Sequence, residues 1–192
     1  TSDKKKASEA WIGKNAFPTY NVGLTNEFKY KNFSFSFLLT GQFDFMVQNG
    51  VHSYTIHDGR FPTRNQVTDA LYNSWTNAPG AENYSTENPM QVIGNPNSSR
   101  LESSRFLSKG DHIRLKETRI AYSFGEVFKN STGINNLTIY ARATNLLTYA
   151  FDKTLNYDPE STSNSWSWVG KGRYWYASPV IKTVSFGIQI GF

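Results

Sequence analysis

The chain contains no cysteine in 192 residues. That absence excludes a disulfide framework, a thiol nucleophile and a thiolate metal site. It also lacks any run near the ~18 consecutive apolar residues that a membrane-spanning helix requires, which excludes a helical membrane protein. Methionine is scarce, with two residues, whereas phenylalanine supplies 14 and tyrosine 11. Aromatic side chains at that density fit the pleated surface of a sheet better than a helix. The net charge is only +5, and the one basic run, Lys4-Lys5-Lys6, is too short for a nucleic-acid arm. It reads as solvated surface, and nucleic acid is not an expected partner. Residues 1–19 hold no apolar core of a signal peptide, so an exported protein has either lost one or begins here within a longer chain.

Signatures of catalysis are missing as well. There is no nucleophile elbow, phosphate loop or Ser-His-Asp pattern, so neither an enzyme nor a cofactor is expected. His52 and His57 stand near Asp44, Asp58 and Asp69 in the sequence. Their spacing matches neither a helical pair nor a same-face strand pair, and no metal site is expected.

What is present is alternation. From Tyr20, one face takes Tyr20, Val22, Leu24, Phe28 and Tyr30, with Asn26 interrupting, and the other takes Asn21, Gly23, Thr25, Glu27 and Lys29. A period of two predicts a strand with one apolar and one polar face. Lys31-Asn32 forms a minimal turn. The next strand puts Phe33, Phe35, Phe37, Leu39, Phe43, Phe45 and Val47 together, against Ser34, Ser36, Thr40, Gln42, Asp44 and Gln48. The two make a hairpin whose strands are long enough to cross a tilted bilayer.

Residues 48–110 then lose the period and are rich in Gly, Pro, Asn and Ser. One helix is predicted there, from Arg64 to Trp75, with Val67, Leu71 and Trp75 four apart. Strand alternation returns from Asp111 to Phe124, where Ile120, Tyr122 and Phe124 share a row with Arg114 and Lys116 while Ile113 and Leu115 oppose them. The phase is mixed. Cations at the end of a lipid-facing row would belong to the headgroup zone, and a bulge is the other way to reconcile the two halves. Leu137, Ile139, Ala141 and Ala143 next oppose Thr138, Tyr140, Arg142 and Thr144. A second irregular segment, 148–179, carries Trp166, Trp168, Tyr174, Trp175 and Tyr176. The last strand sets Lys182, Val184, Phe186, Ile188, Ile190 and Phe192 against Thr183, Ser185, Gly187, Gln189 and Gly191.

In water these apolar rows would need a second layer, and the irregular segments are too polar to supply it. In a bilayer the rows face lipid and the polar rows face a wet lumen. The expected fold is therefore all-β, five antiparallel strands of a larger transmembrane barrel. Connections alternate short (31–32), long (48–110), short (125–136) and long (148–179), and short turns are periplasmic in bacterial barrels. The predicted organisation is an extracellular loop remnant at 1–19, a transmembrane hairpin at 20–48, and a long extracellular loop with a short helix at 49–110. Two transmembrane strands with a periplasmic turn follow at 111–147, an extracellular loop at 148–179, and the terminal strand at 180–192. Five strands with open edges cannot satisfy their backbone in lipid. The chain is therefore expected to be the C-terminal part of a longer polypeptide.

Four stretches in order resemble the SusC/RagA-like TonB-dependent transporters. They are NVGLTNEFKYKNFSFSFLLTGQFDFMVQNG (21–50), the stretch from Ser104 to Phe124, LTIYARATNLLTYAFDKTLNYDPE (137–160) and PVIKTVSFGIQIGF (179–192). His112 departs from the usual Tyr of that pattern, and Pro179-Val180 is a shortened lead into the last strand. The resemblance implies a barrel of about 22 strands closed by a plug. It also implies nutrient import driven through TonB and a SusD-like surface lipoprotein delivering glycan or peptide. The plug and the TonB-contacting segment would lie outside this chain.

Two sets of functional residues are expected. Phe186, Ile188, Ile190 and Phe192 have the form of the assembly signal read by the barrel-insertion machinery. The loop aromatics Trp75, Trp166, Trp168, Trp175 and Tyr176 are candidates for contact with substrate or partner, since aromatic side chains bury large areas with few rotatable bonds. A passive porin or secretion-associated barrel would give similar strands, and a soluble carbohydrate-binding β-sandwich would also carry aromatic-rich loops.

Overall fold

The structure is a computed structural model in which residues 11–75, 88–96, 103–125, 133–161 and 172–192 are described. In chain order its strands are β1 (Tyr20–Tyr30), β2 (Phe33–Phe43), β3 (Met46–Asn49), β4 (Leu107–Lys109), β5 (His112–Ser123), β6 (Asn136–Ala150), β7 (Arg173–Tyr174) and β8 (Thr183–Gly191). Two four-residue helices, α1 (His52–Thr55) and α2 (Asp69–Tyr72), complete the described elements with a single 3-10 turn at Ser104–Phe106. The chain divides into two compact units, one of residues 1–16, 46–108 and 162–177, the other of 17–45, 109–161 and 178–192.

The second unit is a single antiparallel sheet in the order β1-β2-β5-β6-β8. Its register shows why alternation in the sequence becomes two chemically distinct faces. Phe28 lies opposite Phe35, Phe35 opposite Ile120, Ile120 opposite Ala141, and Ala141 opposite Phe186. One apolar row thus crosses all five strands. One residue along, Glu27, Ser36, Arg119, Arg142 and Ser185 form the matching polar row. Phe28 stacks on Phe35 and on Phe37 at 6.3 Å, and Phe35 and Phe37 meet at a tilt at 5.9 Å, yet much of the apolar face stays exposed, including Leu24, Phe28, Ile120, Ile139 and Ile188.

The mixed phase of β5 has a local cause. Leu38 pairs with Glu117 but Leu39 with Leu115, so Lys116 is an extra residue on that strand. The disturbance grows on β6, where Glu117 pairs with Thr144 and Leu115 with Leu147, and Asn145 takes a left-handed φ of 53°. A bulge shifts which face each side chain meets. Arg114 therefore sits opposite Thr40 and His112 opposite Gln42, on the polar face, while Ile113 and Leu115 join the apolar one. The expectation of Arg114 in a lipid-facing row is corrected by this bulge.

On the polar face Tyr140 lies over Gly187, where a Cβ would come within 2.4 Å of the phenol. The missing side chain of β8 makes the seat for the ring, and Arg119 covers it with its guanidinium carbon 4.8 Å from the centroid. Arg142 reaches Glu117 at 2.8 Å.

The second strand ends earlier than its alternation suggests. Asp44 adopts φ 65°, and its N–H donates to the Asp111 carboxylate at 2.7 Å. The strand cannot continue through that left-handed residue. Phe45, expected in the lipid-facing row, is only 4% exposed and lies edge-on to His112 at 6.2 Å. Val47, 2% exposed, falls in β3, which belongs to the three-stranded sheet β4-β3-β7 of the first unit.

The predicted helix over 64–75 shrinks to α2, four residues. No side chain caps its start at Thr68, and a single turn without caps fixes too few hydrogen bonds to extend. The segment is instead held by turns and bridges. Val67 N–H donates to Thr55 C=O at 3.1 Å, and Trp75 N–H to Asn88 C=O at 2.8 Å.

Candidate functional site: a two-faced wall and its loops

Three features can do chemistry or recognition. The first is the apolar face, which turns many aliphatic and aromatic side chains to hydrocarbon, with Asn26 and Thr118 as polar interruptions. The second is the polar face, where Glu27, Lys29, Lys31, Arg119, Ser123 and Thr138 line an open concavity of about 470 Å³. A sheet with one face for lipid and one for water is an arc of transmembrane barrel wall. Its two outermost strands in this chain, β1 and β8, each carry one unpaired edge.

The third feature is a charged clasp at the end of the sheet where the long connections leave. His112 and Arg114 of β5 are essentially buried, at 0% and 1% exposure. The Arg114 guanidinium bonds to the Asp158 carboxylate and stands 3.4 Å from Glu160. Lys116, the bulge residue, meets the same Glu160 at 3.2 Å. His112 turns Nδ1 to the Gly110 carbonyl at 2.8 Å and Nε2 to Glu160 at 3.4 Å. The His112 hydrogen bond, with the charges of Arg114 and Lys116 added, outweighs burial and lowers the Glu160 carboxyl to about 2. Asp158 also accepts from the Val180 N–H at 3.1 Å, and Ser161 donates to the Ser178 carbonyl at 3.0 Å. The clasp therefore ties both ends of the 148–179 connection to the wall. Alternation alone puts Arg114 and Lys116 at the end of a lipid-facing row, and Asp158 and Glu160 stand out only within the family-like stretch at 137–160. Signs of charge twenty or more positions apart, without a period, gave no cue that they meet.

Of the expected contact residues, Trp175 is half-buried and edge-on to Tyr54 at 5.1 Å. Trp75 and Tyr176 are exposed, and Tyr176 takes a left-handed φ of 52°. Trp166 and Trp168 lie outside the described residues. Phe186, Ile188, Ile190 and Phe192 are all exposed, the first three in the apolar rows of the wall. His52 packs edge-on to Phe106 at 6.2 Å, and the buried His57 accepts the Gly59 N–H at 3.1 Å. Among the described residues no group of three His, Asp or Glu side chains is placed to hold a metal ion.

The fold and its faces define a segment of transmembrane β-barrel wall. No family model matches the chain. In sequence it is similar to TonB-dependent receptor P26 of Formosa agariphila, 28% identical over 183 residues that cover 91% of this chain and 17% of that protein. TonB-dependent receptor P3 of the same organism is 25% identical over 181 residues, covering 91% and 16%. In fold it is similar to the RagAB peptide importer in its closed-closed state, with TM-score 0.73 and 23% identity over 94% of this chain and 18% of that one. A second structure, of the RagAB peptide transporter, gives 0.74 and 21%. The chain spans 16–17% of the length of these two curated relatives. It is TonB-dependent-receptor-like in sequence, and its five-stranded sheet has the fold of the matching part of the RagAB importer.

Proposed function

We propose that this chain forms the C-terminal wall and outer loops of a TonB-dependent transporter that imports glycan or peptide nutrients across the outer membrane of a Bacteroidetes-like bacterium. The observation that carries the proposal is the five-strand apolar row from Phe28 to Phe186, in a sequence resembling TonB-dependent receptors. The remaining strands, of about 22 in a barrel of this kind, and a plug in its lumen belong to the rest of the polypeptide. Short connections face the periplasm, so the 49–110 and 148–179 segments are extracellular, with 1–19 beside them. Trp75, Trp175 and Tyr176, with Trp166 and Trp168, contact solute or a SusD-like lipoprotein that caps the barrel. Phe186, Ile188, Ile190 and Phe192 form the signal that the insertion machinery reads.

Uptake tests this reading. Cells lacking TonB should lose growth on the same nutrient that is lost when the receptor gene is deleted, and the intact receptor should co-purify with a surface lipoprotein. Nutrient uptake that persists without TonB would point to a passive pore instead.

A further inference from the structure

In the first unit, Phe61-Pro62-Thr63-Arg64 forms a tight turn closed by the Arg64 N–H donating to the Phe61 carbonyl at 3.0 Å. Pro62 occupies the second position, where its fixed φ favours the turn. The turn folds Arg64 back onto two rings. Its guanidinium carbon stands 4.5 Å from the Phe61 centroid and 5.2 Å from that of Tyr54. Those rings are themselves stacked at 6.0 Å with 15° between planes. Edge-on contacts brace them: Trp175 against Tyr54, and His57 against Phe61 at 5.5 Å.

The base below is rigid. Gly59 has φ +88°, and a Cβ there would strike the Val92 carbonyl oxygen at 2.2 Å. That close approach lets Val92 N–H donate to Asp58 and Gly94 N–H to Gly59, at 3.0 and 2.9 Å. Arg60 adds a second guanidinium 5.9 Å from Phe61, steered by its bond to the Pro96 carbonyl at 2.8 Å.

Arg64 is exposed and, among the described residues, has neither a carboxylate partner nor a side-chain hydrogen bond. Stacking engages the flat face of a guanidinium and restrains its rotamers, while leaving the N–H fork at its edge open. A fork held in this way is preorganised for two parallel bonds to a planar carboxylate, and the neighbouring Arg60 reinforces the preference for negative charge. We infer that Arg64, seated on Phe61 and Tyr54 beside Arg60, receives a carboxylate of the imported solute; this rests on the import reading above. It assigns the solute to an acidic class, either a peptide with acidic side chains or a uronic-acid glycan.

The test is calorimetric binding to the intact receptor in detergent, with triglutamate against triglutamine and trigalacturonate against its methyl ester. At least one acid should bind about tenfold or more tightly than its neutral counterpart, and the acid that binds names the source. Arg64→Gln should remove that preference, and Arg64→Lys, which keeps charge but not the planar fork, should restore less than half of the lost affinity. A gel-mobility check that both variants remain folded barrels accompanies the measurement. Absence of binding by both acids, equal binding of acid and neutral forms, an unchanged Arg64→Gln, or full rescue by lysine would each overturn the assignment. Binding in detergent needs no TonB. Acid-selective binding in a receptor whose uptake is TonB-independent would refute the TonB-driven part of the import reading and leave the acid preference standing.

Discussion

Arg114 shows how a single residue can join a wall to a loop. It is a buried cation whose stability depends on Asp158 and Glu160, and removing it would leave two carboxylates with little water around them. Breaking a buried pair of this kind costs about 3 kcal/mol or more. Arg114→Ala is therefore expected to destabilise the protein by about that amount in denaturant unfolding in detergent. Hydrogen exchange at the Val180 amide, which Asp158 accepts, should speed up. An unchanged unfolding midpoint with unchanged exchange would show that the clasp is ornamental. The same cluster predicts a pH dependence. Glu160 titrates at about 2 in the folded state against an ordinary 4.5, so its folded pKa is depressed. The stability it contributes is present above about pH 4.5 and is lost as pH falls from there through 2. Glu160→Gln should flatten that acid limb of the unfolding curve, and an identical limb in wild type and variant would contradict the assignment.

At the scale of elements, the two faces of each strand have different tolerances. Ile120 lies in the middle of the apolar row, so Ile120→Arg should cost about 2–4 kcal/mol and lower the folded fraction recovered in bilayers. Thr138→Arg, on the polar face, should cost far less; equal penalties would deny the two faces their separate solvents. The terminal strand makes a second case. Phe192→Ser should lower outer-membrane abundance, read by fractionation, whereas wild-type abundance would remove the assembly-signal reading. Much of this was legible in the sequence, because period-two alternation is a local property and each strand carries it alone. Tyr20–Tyr30 and Thr183–Gly191 are recoverable from alternation without knowledge of any partner strand. What was not legible depended on contacts between distant residues or on one dihedral angle. Asp44 turns left-handed because Asp111, far away in sequence, accepts its N–H, and so Phe45 and Val47 leave a row they match in pattern. The bulge at Lys116 is defined only by what β2 and β6 place beside it. The helix expected from Val67, Leu71 and Trp75 met the period but not the capping, and turn hydrogen bonds took most of its span.

For the whole molecule the central claim is that the sheet separates lipid from water. Every strand agrees on which face is apolar once the bulge is counted, from Phe28 on β1 to Phe186 on β8. The long connections carry Trp75, Trp175, Tyr176 and the Arg64 platform, while the wall turns mostly aliphatic and aromatic side chains to its apolar side. The chain has no cysteine of its own, so an engineered one gives a single labelling site once any cysteine elsewhere in the intact protein is replaced. The most direct measurement attaches a fluorophore to Ile188→Cys or to its neighbour Gln189→Cys in the intact protein, reconstituted in vesicles with brominated acyl chains. A barrel wall predicts strong quenching at position 188 and little at 189, with the pattern repeated at 139 against 138. Equal quenching at both positions, or none at either, would contradict it.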